Sequence, residues 1–465
     1  MGYPRPQYPF IRPSYLAALV LLLLLSLPAM DGFTQPPRTL LHLPEGSWDH
    51  VTITDPPLKS HFAPLAAHRA GQGLRSRVVT TEIVRKWAGS EDTVEAIRWF
   101  ITAAAREWGT RYVLLGGDAT IIPVPLGYFE NLHFSWEIPL DLYYAAPDGQ
   151  WDLDGDGYLG ETEDDNPDLI PAVALGRAPV SDADEVWTFV QKVIAFENQD
   201  PAADFDALLV AEVGSPHPWS PGMEVTFDFA WEMELVADIL AGMDSCGDIL
   251  ELYQNPDTPS SGIPLNPETF LAALRDGDHR FASMLVHGIP DTWSMGAAYL
   301  TPEHIEDLAG MDHSVFLAGG IPGAADFRGA SVLQPLMTFA DGGCVGALVP
   351  GSMYYLAIGG PFYREFWEIL ASGSCDRVGD AYRRVMESRV PLYEPSSAPA
   401  LASLQCMSVV GDPALLFFPA LERNRATPAP SRHLAASASP NPFNPITEIS
   451  FVIPEEAGGE VPAEI

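Results

Sequence analysis

The sequence predicts an α/β protein with mainly parallel sheets, helices on both faces and two α/β subdomains. Three observations carry that prediction. Short apolar runs recur between about residues 50 and 420, and most end in Gly, Asp or Pro, as strands buried on both faces do. Segments of helical period lie between them, and strand–helix alternation of this kind gives parallel sheets. The chain has 465 residues, enough for two to four folding units at roughly 100 to 200 residues each.

Taken in order, residues 112–115, 172–175, 207–211, 283–286, 314–318 and 345–349 read as strands. Helices are expected over 93–108, 184–197, 226–240 and 363–370. The first carries Ile97, Phe100, Ile101 and Ala104 on one side, with Ser90 as its cap. The two subdomains are expected at 31–204 and 205–420. In open parallel sheets, function gathers in loops at the carboxyl ends of strands.

The flanks differ from this body. Arg5 and Arg12 precede an apolar run of 13 residues, 15–27, which breaks at Pro28. That is short for a membrane span and right for a signal-peptide core. Residues 1–30 are therefore expected to be a signal peptide, and the protein to be secreted or held at the cell surface. An uncleaved anchor is the competing reading. No later segment reaches about 18 uninterrupted apolar residues, so no further span is expected. Residues 421–439 are rich in Pro, Ala and Ser, as linkers are. In the 440–465 tail, 446–453 alternates like a half-exposed strand. One strand cannot fold alone, so the tail is expected to be the start of a β-domain cut short.

Composition narrows the partners. Hydrophobic residues make up 47% and charged ones 19%, which excludes a disordered chain for most of the length. Sixty-two acidic residues against 25 basic ones give a net charge of −37. Such a surface repels phosphates, so nucleic acid is excluded as a partner. It suits divalent cations and basic ligands. Four cysteines (Cys246, Cys344, Cys375 and Cys406) are too few for a disulfide framework. Cys344 and Cys406 sit in apolar runs, whereas Cys246 and Cys375 lie in loop-like stretches where they could pair.

The sharpest local motif is acidic. Asp152, Asp154 and Asp156 alternate, Gly157 follows, and Glu163 lies seven residues beyond Asp156. This satisfies D-x-D-x-D-G-x5-E. Alternate carboxylates of a tight loop converge on one hard cation, the Tyr158 carbonyl adds a ligand, and Glu163 closes the shell. A structural calcium is expected there; an acidic surface turn is the alternative.

A second constellation lies further on. His287 follows an apolar strand directly and precedes Gly288, and the next strand ends in Gly319-Gly-Ile-Pro-Gly323. A His and a nucleophile on neighbouring strand ends would form a dyad. Here the chain resembles the gingipain-type (C25 family) cysteine peptidases, which have a caspase-like fold. The resemblance rests on ordered blocks: Tyr112-Val-Leu-Leu-Gly-Gly-Asp-Ala-Thr-Ile-Ile-Pro123, Asp141-Leu-Tyr-Tyr144 with the 152–163 loop, Leu175-Gly-Arg-Ala-Pro179, His287-Gly288 and Gly411-Asp-Pro413.

The resemblance implies that His287 is the general base, that Gly288 belongs to the oxyanion pocket, and that the nucleophile ends the following strand. That position holds Gly320. Glycine has no side chain to ionise or acylate, so thiol catalysis cannot occur there. Cys344, one strand onward, and Ser314, at the strand's beginning, are the nearest alternatives. The acidic partner of His287 is not assigned. Asp291, Trp293 and Asp326 lie nearby in sequence and are candidates for the cleft wall. The tail Pro440-Asn-Pro-Phe-Asn-Pro445 and its strand resemble the start of C-terminal sorting domains of exported bacterial proteins, which implies secretion machinery as a partner.

Two readings of function follow. In one, a calcium-stabilised relative of the peptidases binds a peptide or protein partner without cutting it. In the other, an active secreted cysteine endopeptidase takes polypeptide substrates through a relocated nucleophile, Cys344. A calcium-stiffened scaffold protein is a third class.

Overall fold

The computed structural model describes residues 42–130, 135–161, 165–199, 204–258, 262–340, 342–394 and 397–417, and two short strands beyond them. The expected signal peptide lies outside the described residues, as does Glu163. Among the described residues, no helix is long and apolar enough to cross a membrane.

Ten strands form one sheet. They are β1 (His50–Thr54), β2 (Ser76–Thr80), β3 (Tyr112–Gly116), β4 (Ala174–Ala178), β5 (Phe205–Ala211), β6 (Cys246–Tyr253), β7 (His279–Leu285), β8 (Val315–Gly320), β9 (Cys344–Pro350) and β10 (Met407–Val410). Their spatial order is β6-β5-β7-β8-β9-β10-β4-β3-β1-β2. Every neighbouring pair is parallel except β9 with β10. That single antiparallel contact reverses the direction of the strands beyond it. The carboxyl ends of β5, β7, β8 and β9 therefore share one end of the sheet, while β1 to β4 point the other way.

The central strands β3, β4, β7, β8 and β9 are buried along their whole length, which is why they read as continuous apolar runs. Helices α1 (Thr93–Ala103), α2 (Ala183–Glu197), α3 (Ala230–Ala241), α4 (Leu356–Ala371) and α5 (Val378–Arg389) bury one side each against the sheet core. Three expectations need correction. The cap of α1 is Asp92, whose carboxylate accepts the Val94 and Glu95 N–H groups, while Ser90 donates to Glu95 instead. The helix expected from 226 starts at Ala230, because Phe227–Asp228 pairs with Val213–Ser215. Helix α4 begins seven residues before 363, with Pro361 inside its early turns.

Two buried ionic nodes hold the strand blocks together. Arg177 in β4 forks onto Asp141 at 2.7 Å through both Nε and Nη2, and also donates to the Gly117 and Ile122 carbonyls. Three of the quoted sequence blocks thus meet at one guanidinium. The last of them, Gly411-Asp-Pro413, meets a second one: Asp412 takes Arg69 at 2.9 Å and His50 at 3.3 Å, while Arg69 also pairs with Glu197 at 2.8 Å. The Gly411 carbonyl passes so close to Gly176 that a β-carbon there has no room.

Beyond the sheet, Ala435–Ser439, inside the stretch expected to be linker, pairs antiparallel with Glu448–Val452 of the expected tail strand. Cys246 and Cys375 are both free, so the pairing that sequence allowed is not made.

Candidate functional site

The loops at the carboxyl ends of β5, β7, β8 and β9 bring together Glu212, His287, Gly320 and Tyr354. Glu212 directly follows β5 and is fully buried. Its Oε2 accepts the His287 main-chain N–H at 3.0 Å and lies 3.1 Å from His287 Nδ1. Its Oε1 accepts Ser294 Oγ–H at 2.6 Å and the Gly296 N–H at 2.8 Å. Burial works against the charge of Glu212, but the bonds from His287 and Ser294 outweigh it and hold the carboxyl below its ordinary range. The carboxylate therefore fixes His287 with Nδ1–H toward Glu212, leaving Nε2 without a hydrogen bond among the described residues. This is the acid–imidazole arrangement that a general base needs.

The His287 ring is partly covered. Phe229 lies 5.1 Å from it in a tilted contact, and His217 stacks on it at 3.7 Å with 23° between the planes. His217, though exposed at its surface, is held below its ordinary pKa by partial desolvation and by His287 beside it, partly offset by Glu212.

The nucleophile side is different. Leu285 of β7 pairs with Gly320 of β8, and the Val286 N–H donates to the Gly320 carbonyl at 3.3 Å, so residue 320 ends its strand next to the strand that leads into His287. A β-carbon at residue 320 would fall within the Tyr354 hydroxyl, 2.5 Å from Tyr354 Cζ and 2.8 Å from Leu285 Cδ2. The space of a nucleophile's side chain is filled. Tyr354 enters from the loop after β9, and its ring also leans on Gly359 of α4, where a β-carbon would collide with it. Burial and the nearby Cys406 raise the Tyr354 phenol above its ordinary range, so it stays protonated. Its hydroxyl makes no hydrogen bond among the described residues.

Of the other sequence candidates, Gly288 opens a short strand paired with Trp293, and a β-carbon there would face Ile321 at 3.2 Å, next to Gly320. Trp293 is fully buried beneath the loop and does not line an open wall. Asp291 is exposed, and Asp326 forks onto Arg328. Cys344 and Ser314 lie at the amino ends of β9 and β8, away from the site. Cys344 is also buried, which pushes its thiol up to about 12 despite Lys192 nearby. A buried thiol of that kind is inert.

In the acidic loop, ligand atoms of Asp152, Asp154 and Asp156 lie within 4.8 Å of one another, all exposed. Asp152 Oδ1 accepts the Gly157 N–H at 3.3 Å and Asp156 Oδ1 accepts the Tyr158 N–H at 2.8 Å. Gly157 has φ 92°, the left-handed turn the motif requires of a glycine. Asp165 closes the loop from behind, accepting the N–H groups of Leu153, Gly160 and Glu161. The loop is tied to the hairpin Leu126–Glu130/Ser135–Pro139 through the Tyr128–Tyr158 stack at 4.6 Å. That hairpin reaches the site: Glu137 pairs with Arg328, in the loop after β8, at 2.6 Å.

Sequence reasoning missed Glu212, His217 and Tyr354. Glu212 carried the same signal as His287, a charged residue directly after a buried strand. His217, flanked by two prolines, and Tyr354 carried none, because their roles come from packing between distant loops.

The sequence pattern of peptidase family C25 matches residues 44–418. Among solved structures, the Arg-specific cysteine proteinase gingipain R (RgpB) superposes with a TM-score of 0.62 at 18% identity, covering 80% of this chain and 78% of that one. The complex of Porphyromonas gingivalis RgpB pro- and mature domains gives 0.60 at 18% identity, covering 79% of each chain. A structure described as a protease gives 0.57 at 15%, covering 84% of this chain and 81% of that one. No curated protein matches the sequence. At these identities the structures establish a shared fold, and the ten-stranded, helix-covered sheet is that fold.

Proposed function

Because the chain belongs to peptidase family C25 yet has glycine where the family's thiol is expected, we propose that it binds polypeptide without cleaving it. The observation that carries this reading is the pairing of Gly320 with Tyr354: the side-chain space of the nucleophile is occupied by a protonated phenol. The rest of the cleft is kept. Glu212 still orients His287, and the rim carries exposed apolar side chains, Ile289 beyond Gly288 and Met353 before Tyr354. Such side chains suit an extended peptide.

Calcium belongs to the same reading. Asp152, Asp154, Asp156 and the Tyr158 carbonyl would hold it, with Glu163 as the closing ligand, and the turn at Gly157 already has the form that ligation needs. The ion would supply charge neutralisation in the loop and take no part in chemistry. The apolar run at 15–27 supports export to the cell surface or beyond. The alternative, an endopeptidase using Cys344, has a buried thiol at the wrong end of its strand.

The test is a thiol-directed peptidyl ketone probe applied in calcium, with adducts mapped by mass spectrometry. The natural chain should stay unlabelled. Gly320→Cys alone should label slowly, because Tyr354 stands in the way, and Gly320→Cys with Tyr354→Phe should label faster. Labelling of the natural chain at Cys344, with peptide turnover, would sink the proposal.

A further inference from the structure

We infer that His217 and His287 form a binding site for a borderline divalent metal ion of the zinc class, with Glu212 as the carboxylate that orients His287 behind it. The inference goes beyond the peptide-binding reading, since it requires neither a nucleophile nor a peptide. One nitrogen from each imidazole and an oxygen of Glu212 lie within 4.8 Å of one another.

The chemistry assigns the roles. Glu212 is buried and its two oxygens already accept from His287, Ser294 and Gly296; direct ligation would strip those donors of their acceptor. Metal-ligating histidines commonly donate their other N–H to a carboxylate, which fixes tautomer and ring orientation. The Nδ1 contact of His287 with Glu212 is that arrangement, and Nε2 is left for the ion. His217 is exposed and makes no hydrogen bond among the described residues.

The stacked rings, 3.7 Å apart at 23°, do not aim their lone pairs at one point. Closing on an ion requires one ring to tilt, and the exposed His217 can turn while Glu212 holds His287 still. Imidazole nitrogens select zinc, copper or nickel over calcium, whereas the all-carboxylate cluster at Asp152, Asp154 and Asp156 suits hard cations. The two clusters should therefore sort metals by class. With two protein ligands, a tetrahedral ion keeps positions open toward the cleft for water or a ligand carboxylate.

The experiment is calorimetric titration of the full chain with zinc chloride in calcium-containing buffer, for the natural sequence, His217→Ala, His287→Ala and Asp154→Asn. One zinc per chain is expected, weakened at least about tenfold in either histidine variant and unchanged in Asp154→Asn. Cobalt in place of zinc should give visible tetrahedral bands that His217→Ala loses. Because His217 is exposed, metal-free melting of His217→Ala should match the natural chain, which separates lost ligation from lost fold. Equal zinc affinity in His217→Ala and the natural chain, or no saturable binding, overturns the inference. Neither result depends on the thiol-probe experiment, so the two proposals fail separately.

Discussion

The two sides of the cleft are built in opposite ways. On the base side, both oxygens of Glu212 are satisfied, and the carboxylate holds a histidine whose other nitrogen makes no hydrogen bond among the described residues. On the nucleophile side, Gly320 offers no side chain, and a tyrosine from the next loop fills the space that one would take. The difference teaches that a strand end without a side chain need not be loosely packed. The base side is held firmly because its carboxylate is part of the fold: removing it would orphan buried donors.

The largest expected effect tests the claim that the base side is structural. Glu212→Ala leaves two main-chain N–H groups, the His287 ring and Ser294 without their acceptor, and should cost about 3–5 kcal/mol in denaturant unfolding. His287→Ala, removing a partly exposed ring, should cost about 1 kcal/mol. The pH dependence has a fixed sign. The folded-state carboxyl of Glu212 is held below its ordinary value, so its stabilising share is complete above about pH 4.3 and declines as pH falls below that. Glu212→Gln should remove that acid-side slope. Equal costs for Glu212→Ala and His287→Ala would overturn the claim that the carboxylate is what ties the base side into the fold.

Calcium should act on the nucleophile side and leave the base side alone. The acidic loop connects through Tyr158 and Tyr128 to the hairpin, and through Glu137 to Arg328 in the loop after β8; no comparable link runs to Glu212 among the described residues. At a free calcium concentration of a hundred times Kd, saturation stabilises by about 2.7 kcal/mol, which a chelator should remove from the melting profile. Hydrogen exchange after chelation should rise in 126–139 and 321–332 and stay unchanged at 285–296. Unchanged melting in excess chelator would end the calcium proposal.

How much of this could be read from the sequence varied with the distance over which each feature is made. The central strands were legible because burial on both faces writes continuous apolar runs. The acidic loop and the His287-Gly288 pair were legible because each is local. The strands β1 and β2, near one edge of the sheet, lacked such runs; the first reads His50-Val-Thr-Ile-Thr54, polar at every other position although all five residues are buried. Two of its three polar side chains are satisfied at long range, His50 by Asp412 and Thr54 by the Gly116 carbonyl, while the buried Thr52 hydroxyl has no hydrogen bond among the described residues. Glu212 was legible in principle and overlooked. Tyr354 was not legible, since nothing near residue 354 says that the partner of its hydroxyl space is a glycine 34 positions earlier.

That pair gives the smallest expected effect and the sharpest one. Gly320→Ala inserts a methyl where the Tyr354 hydroxyl lies and should cost about 1–3 kcal/mol by overpacking. Tyr354→Phe removes a hydroxyl with no hydrogen bond among the described residues, so alone it should change stability by less than about 1 kcal/mol. Combined, the two should cost less than their sum, with a coupling of about 0.5–3 kcal/mol, because the phenylalanine edge leaves part of the room the methyl needs. Strict additivity in denaturant midpoints would mean that Tyr354 moves aside freely. The nucleophile's place would then be vacant, not filled, and Gly320→Cys alone would label with the peptidyl ketone as fast as the double variant.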